Sequence, residues 1–437
     1  MFSLLCAALL IASVHCWYTC DELEFCSNIR HNYDGTSFSL SNILVNDAVT
    51  GTLVNNQNGE SFALKFVALD GDTFRLTVQD ADNSRYTPEA DVLKAAPTEQ
   101  PIALVSSTDD LTVLSVGEEL VVKLYSSPFQ IQLLRDDVVV LEVNKANRLT
   151  INNDIKDKSL ALDISFPVAN AAYGLPEHGE GLSLRSTGPG SSNSYRMFNV
   201  DNPAYPTYTG ESLYGAISVL YGVSSSSVSS GIFWMNGAQT FIDITNEGDG
   251  VDSLFISETG ALELFLFAGP TLKDCVRQYT ALTGVAPLPQ YFTLGYHQSR
   301  YSYMTQEDVE TVVTEFDNHN FPVDVIWLDI DYSYGYEYFT WNYTAFPNPE
   351  AMQYNLAATV SGGVVQAVLS ADGCLECIES SSLLPCTLHS NWHTNSMCTV
   401  TGGGDIAIYP VSTDSHLTQS GAVLTLNSTH ITNDIVS

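Results

Sequence analysis

The stretch TQEDVETVVTEFDNHNFPVDVIWLDIDYSYGYEYFTWNYTAF, Thr305 to Phe346, decides the fold. Thr305 is placed to cap a helix, with Asp308 three residues on. Glu307 and Asp308 fall in a first turn whose dipole favours negative charge. Val309, Val312, Val313 and Phe316 follow at i, i+3, i+4 and i+7 and make one apolar stripe. Phe321-Pro322 is expected to break the helix. Val323 to Ile330 (VDVIWLDI) is then a nearly continuous apolar run, which suits a parallel strand covered on both faces. Asp329 and Asp331 stand at its C-terminal end, where α/β barrels carry their chemistry. The plainer reading of the same pair, as caps of the next turn, stays open.

Upstream the period changes. From about Ser37 to Phe267 the chain runs in short alternating segments. Phe62, Leu64 and Phe66 face one way, and Phe74, Leu76 and Val78 return after the hairpin signal Asp70-Gly71. A second hairpin runs through Phe129, Ile131 and Leu133, turns near Asp136-Asp137 and returns as Val138 to Val143. Strands at this spacing indicate an antiparallel β-sandwich. Gly269-Pro270 closes it, Thr271 to Leu282 reads as a helical linker, and Ala286-Pro287-Leu288-Pro289 punctuates the passage to the α/β part. The expected organisation is a signal peptide (1–16), a β-sandwich (17–268), a helical linker (269–290), the start of a (β/α)8 barrel (291–372) and a Ser/Thr-rich tail (373–437). Residues Val364 to Asp372 read as a worn third strand. A complete barrel takes roughly 250 residues, and only 147 follow Gln290.

The chain has 437 residues, 45% of them apolar and 15% charged, so it is able to bury a large core. Its 50 acidic against 16 basic residues give a net charge of −34. That argues against nucleic acid and anionic membrane surfaces as partners, since both require basic patches. No Lys or Arg follows Arg300. Phe2 to Val14 is too short an apolar run to span a bilayer and reads as a secretory signal with cleavage after Cys16, although it lacks a basic n-region. No other segment reaches transmembrane length, and the terminal NDIVS is not a retention signal of the Lys-Asp-Glu-Leu type. Cys374 and Cys377 form a C-x-x-C with Cys386, Cys398, His389 and His393 nearby. Metal or redox chemistry is one reading, but the spacing fits no usual zinc finger, and disulfides or unrelated cysteines are preferred. No metal and no cofactor is expected.

The segments LGYHQSRYSY (Leu294 to Tyr303), VDVIWLDID (Val323 to Asp331), YFTW (Tyr338 to Trp341) and FPNPEAM (Phe346 to Met352) resemble glycoside hydrolase family 31, in its order and spacing. Upstream, AAYGLPEHG (Ala171 to Gly179), YRMFNVDNPAY (Tyr195 to Tyr205), SLYGAISVLYG (Ser212 to Gly222) and GIFWMNGAQTFIDI (Gly231 to Ile244) are similar to its N-terminal β-domain. The resemblance runs from about Thr19 to Met352 and fades beyond. It implies a galactose-mutarotase-like β-sandwich followed by an incomplete (β/α)8 barrel. The implied activity is retaining hydrolysis of O-glycosidic bonds by two carboxylates about 5–5.5 Å apart, without metal or cofactor. The family's nucleophile lies in a Trp-x-Asp-Met-Asn-Glu segment and its acid/base further on. Neither segment occurs here, Asp405 and Asp414 lie in unmatched surroundings, and no catalytic residue is nominated.

What the resemblance carries over is sugar-holding. Asp329 matches the family aspartate that takes hydroxyls of the non-reducing-end glucose, a task suited to a carboxylate with several acceptor positions. Asp331 is the weaker neighbour, since the family varies at that position. Asp201 matches a β-domain loop residue reaching toward the adjoining sugar, with an Asx-turn before Pro203 as the alternative. Tyr332, Tyr334, Tyr336, Tyr338, Phe339 and Trp341 suit a carbohydrate rim or plain loop packing, and His297 and Arg300 brace the site. TCDELEFC (Thr19 to Cys26) is similar to a cysteine pair opening mature members, so Cys20 and Cys26 are expected to join. Sequons stand at Asn342 and Asn427, the first where the family has aspartate.

The branch most similar trims α-1,3-linked glucose from N-glycans in the endoplasmic-reticulum lumen beside a lectin-like β-subunit. An α-glucoside or glucosylated N-glycan is therefore the expected ligand, with secretion as the alternative destination. Two other readings compete: a non-catalytic carbohydrate-binding homologue, and a gene-model fragment.

Overall fold

A computed structural model describes residues 18–31, 37–154, 158–188, 193–202, 205, 207–225, 227–246, 250–337, 339–359, 366–369, 375–379 and 382–383. The chain divides into two units, Met1–Val285 and Ala286–Ser437.

The first unit is a sandwich of two antiparallel sheets. One runs in the order Phe38–Val45, Val49–Asn55, Ser61–Leu69, Thr73–Gln79, Leu262–Phe267, Ser230–Trp234, Val219–Val223, Ala171–Gly174. The other runs Tyr195–Met197, Thr240–Asn246, Val251–Ser257, Leu160–Phe166, Val138–Val143, Phe129–Arg135, Leu120–Ser126, Leu111–Val116, Ala103–Ser107. Alternation puts Phe62, Leu64, Phe66, Phe74, Leu76, Val78, Leu262, Leu264 and Leu266 into one core with residues such as Leu133, Leu162, Trp234 and Phe255 of both sheets. Trp234 is wholly buried, and its indole N–H donates to the Ser257 hydroxyl at 2.9 Å, as a buried indole requires.

Both hairpins form as the sequence indicates. Gly71 (φ 72°) and Asp72 (φ 57°) turn the first. Asp136 (φ 49°) and Asp137 (φ 62°) turn the second, both in the left-handed region demanded by the right-handed strand twist.

The sheets are not simply buried on one face. Val67, Leu69, Phe233, Phe265 and Phe267 point outward and are covered by Cys275 and Leu282 of the helix Leu272–Thr283, with Leu93 beside them. That helix packs on the outer face of the first sheet, so it belongs to the sandwich unit. Thr271 caps it: its hydroxyl oxygen accepts from the Asp274 N–H at 3.2 Å, and the Asp274 carboxylate accepts from the Thr271 N–H at 3.2 Å. Thr271→Ala should lower the stability of the first unit by about 1 kcal/mol in urea denaturation, the usual worth of an N-cap. No measurable change would mean that the packed face alone holds this helix.

On the second sheet, Cys20 and Cys26 are joined by a disulfide. With Ile29 of the helix Glu24–His31 they pack on Ala161, Phe241 and Ile256.

In the second unit His297–Ser299 pairs parallel with Val325–Trp327. Between them lies the helix Gln306–Asn318, capped reciprocally by Thr305 and Asp308 and burying Val309 and Val313. It stops before Phe321-Pro322. Asn320 adopts φ 54°, and the Phe321 N–H reaches back to the Phe316 carbonyl at 2.8 Å, which is a Schellman closure. A small core joins Tyr303, Val309, Phe346 and Met352, the last from the helix Pro349–Thr359.

Two expectations change. The run Val323 to Ile330 forms only a three-residue strand, Val325–Trp327, with Trp327 54% exposed, and beyond it Asp329 takes φ 59° and leaves the extended region. Gln366–Leu369 does not add a third parallel strand; it pairs antiparallel with Leu375–Glu379, which pairs with Ser382–Leu383. Asp405, Asp414, Asn427, Cys374, Cys386, Cys398, His389 and His393 lie outside the described residues. Only the backbone of Cys377 is described.

Candidate functional site

In the second unit the site gathers where the two parallel strands end. Trp327 and His297 lock the base. The indole N–H, which is only a donor, donates to His297 Nδ1 at 2.9 Å, so that nitrogen is unprotonated. His297 Nε2 therefore carries the hydrogen and donates to the Thr293 carbonyl at 2.9 Å. Arg300 lies over the Tyr303 ring at 5.1 Å and donates to the carbonyls of Tyr301 and Ser302. Both residues thus make bracing contacts.

Asp329 and Asp331 part company. Asp329 is exposed, and its carboxylate accepts no hydrogen bond among the described residues. Its left-handed backbone costs about 1–3 kcal/mol for a residue other than glycine, strain of a kind that collects at ligand sites. Asp331 is 7% exposed, and its Oδ2 accepts from the Ser302 N–H at 2.9 Å, tying the loop after the first strand to the loop after the second. Strand alternation does not govern the pair, since the strand has already ended at Trp327. Tyr301 joins them from the first loop. Its phenol is held above the usual range by the neighbouring Tyr336 and by Asp331 and Asp329. Nothing in the spacing of the sequence singles out Tyr301; the parallel pairing of the strands brings its loop beside the two aspartates.

The aromatic run splits in two. Tyr332 packs at a tilt against Trp341 with centroids 4.8 Å apart, and Trp341 likewise against Phe346 at 6.0 Å, so these serve the small core. Tyr334, Tyr336 and Phe339 are exposed; Tyr338 lies outside the described residues. Asn342 is partly buried, and its side-chain oxygen accepts from the N–H groups of Thr344 (3.2 Å) and Ala345 (3.3 Å) in an Asx-type turn.

Asp201 lies in the first unit, exposed on the loop after the strand Tyr195–Met197. Its Oδ1 accepts from the Tyr214 hydroxyl at 2.5 Å, and this bond raises the Tyr214 phenol above its ordinary range. The Asn199 side chain also donates to the Tyr214 carbonyl, and Asn202 Nδ2 donates to Glu211 at 2.7 Å. The loop is thereby clamped to the 211–214 segment, with one Asp201 oxygen accepting no bond among the described residues. Among the described residues no group of three His, Cys, Asp or Glu side chains converges to hold a metal ion. None of the helices described is long and apolar enough to cross a membrane.

Comparison with known proteins bears on both units. Residues 63–243 match the model of the glycosyl hydrolase 31 N-terminal galactose mutarotase-like domain. Residues 286–376 match that of the family 31 TIM-barrel domain. Neutral alpha-glucosidase AB of Sus scrofa is 30% identical over 422 residues, covering 78% of this chain and 44% of that protein. The crystal structure of a glucosidase II alpha subunit with Glc1Man2 bound superposes with a TM-score of 0.72 at 28% identity. That match covers 78% of this chain and 45% of the other. An endoplasmic-reticulum glucosidase II heterodimer, a catalytic subunit with the binding domain of its regulatory subunit, gives a TM-score of 0.72 at 28% identity, over 79% and 46% of the two chains. The chain spans less than half the length of the curated relatives it matches.

Proposed function

Because the chain belongs to glycoside hydrolase family 31, we propose that it carries the glucose-holding part of an α-glucosidase, with Asp329 as the carboxylate that receives the sugar hydroxyls. The observation that carries this reading is the state of Asp329: exposed, unpaired among the described residues, and set by a left-handed backbone at the end of a parallel strand. Tyr301 beside it adds a hydroxyl, and the exposed rings of Tyr334, Tyr336 and Phe339 offer faces for the apolar side of a sugar. Asp331 supports the loops and contributes to binding through them. Asp201, exposed on its own loop of the first unit, is proposed as a further sugar-binding carboxylate.

The ligand class is an α-glucoside, and more narrowly a glucosylated N-glycan, met in the endoplasmic-reticulum lumen of the secretory pathway beside a lectin-like regulatory subunit. The Glc1Man2-bound and heterodimeric relatives support that narrower form. The chain would enter the pathway by a signal peptide at residues 1–16 and carry glycans at Asn427 or Asn342. The non-catalytic carbohydrate-binding reading draws on one further observation, that the family's nucleophile segment does not occur in these 437 residues.

That observation sets the test. The purified chain should hydrolyse a chromogenic α-glucoside no faster than a buffer blank. Positioning without a nucleophile and acid pair does not supply the roughly 8–23 kcal/mol of barrier reduction typical of enzymes. Turnover abolished by substituting Asp405 or Asp414 would overturn this expectation and locate the missing carboxylates in the tail.

A further inference from the structure

The outer face of the first sheet carries a cleft of about 500 Å³, a size typical of small-ligand sites. Its floor follows from alternation. Where Leu64, Phe66, Phe74, Leu76, Val78, Leu262 and Leu264 face the core, the interleaved Lys65, Val67, Arg75, Thr77, Gln79 and Glu263 face out. Register sets Lys65 and Glu263 on either side of Thr77, and Val67 and Phe265 on either side of Arg75.

Every cation of the cleft is already matched. Arg75 donates Nε to Glu263 at 2.9 Å and forks onto Glu89 at 3.1 and 2.7 Å. Lys65 pairs with Glu99 at 2.8 Å. Arg85 pairs with Asp80 at 2.7 Å and spends its other nitrogens on the carbonyls of Lys158, Gly260 and Asn152. An anion would have to displace a carboxylate to find a partner.

What lacks partners is a set of neutral and carboxylate acceptors. Gln79 Nε2 donates to the Arg85 carbonyl at 3.3 Å, and its Oε1 is buried with no partner. The Thr87 hydroxyl is likewise buried and unpaired. Glu263 is 2% exposed, and its two bonds, from Arg75 and Thr77, both fall on Oε2, so Oε1 accepts none among the described residues. Burial pushes the Glu263 carboxyl above its ordinary range despite Arg75. The Gln79 and Thr87 oxygens, buried without a partner among the described residues, cost about 1–3 kcal/mol each unless a donor arrives. Pro97, partly exposed, adds apolar wall, while Val67 and Leu69 lie buried at the edge of the cleft.

We infer that this cleft is a second ligand site, taking a neutral, hydroxyl-rich ring such as one pyranose unit, whose hydroxyls donate to Gln79, Glu263 and Thr87 while its apolar face lies against Pro97. The site lies wholly within the sandwich unit and is independent of the Asp329 reading.

The test is saturation-transfer difference NMR on the 437-residue chain with methyl α-glucoside, methyl α-mannoside and methyl α-galactoside, and with glucuronate and inorganic phosphate as anionic comparators. The Asp329→Asn background weakens the other site, so that a loss in the cleft variants reports on the cleft. At least one neutral glycoside should bind this protein, and Gln79→Leu and Thr87→Val should each weaken it fivefold or more. Thr87→Val removes only an unpaired polar atom, so its Tm should hold or rise; Gln79→Leu also gives up the long bond from Nε2 to the Arg85 carbonyl, so its Tm should change little. Three results would overturn the inference: no neutral glycoside bound in the Asp329→Asn background, binding unchanged in both cleft variants, or glucuronate or phosphate bound more tightly than any neutral glycoside.

Discussion

Asp243→Ala should lower the stability of the first unit by about 3–5 kcal/mol, the range for leaving a buried charge without its partner. For a unit of this size that is a fall in Tm on the order of 10 °C. Asp243 lies on the strand Thr240–Asn246, and four side-chain donors converge on it. Arg30 grips both oxygens, Nε to Oδ2 at 2.8 Å and Nη2 to Oδ1 at 2.9 Å. The hydroxyls of Thr187 (2.8 Å) and Ser194 (2.9 Å) donate to Oδ1. Arg30 is 5% exposed, and when the carboxylate goes its guanidinium keeps the longer contact to Asp21 at 3.4 Å but loses both bonds to Asp243. The knot holds the disulfide-closed N-terminal helix against the second sheet and fastens Thr187 and Ser194 beside it. The double variant Arg30→Met/Asp243→Leu should recover at least half of the loss, because an apolar pair carries no desolvation cost. Thermal and urea unfolding of the wild type, both single variants and the double variant decide this. Additive losses would show that the two residues do not act as a pair.

This knot also marks what the sequence does not display. Arg30 and Asp243 stand 213 residues apart, and neither lies in a pattern that announces a partner. The outer cleft is hidden for a related reason: Arg75, Thr77 and Gln79 read as the solvent side of a hairpin. Only the crossing of Leu262–Phe267 beside Thr73–Gln79 brings Glu263 to them. Local signals are the legible ones. Thr305 with Asp308, and Asp70-Gly71, act within a few residues, so the sequence alone displays the cap and the turn they make. Asp331 shows the limit of periodicity. Alternation holds only while the backbone stays extended, and the left-handed Asp329 ends it two residues earlier. A side chain that the pattern assigns to a strand face instead holds the Ser302 amide.

The same divergence makes Asp329→Asn the more telling substitution at the strand ends. A carboxylate accepting from sugar hydroxyls, and pairing with the ammonium of a glucose-configured iminosugar, contributes about 1.5–3 kcal/mol per charge-assisted bond. Since 1.4 kcal/mol is tenfold in Kd, the variant should bind that ligand roughly 10- to 100-fold more weakly. Its fold should be intact, because the Asp329 side chain supports no other described residue. Asp331→Asn should behave oppositely, with stability falling as the Ser302 bond weakens and affinity falling less. Calorimetric titration of the wild-type chain and the Asp329→Asn variant with one such iminosugar, at the same pH, measures this directly. Glucose held by Asp329 predicts clear binding by the wild type and at least a tenfold loss in the variant, and equal affinities would contradict it.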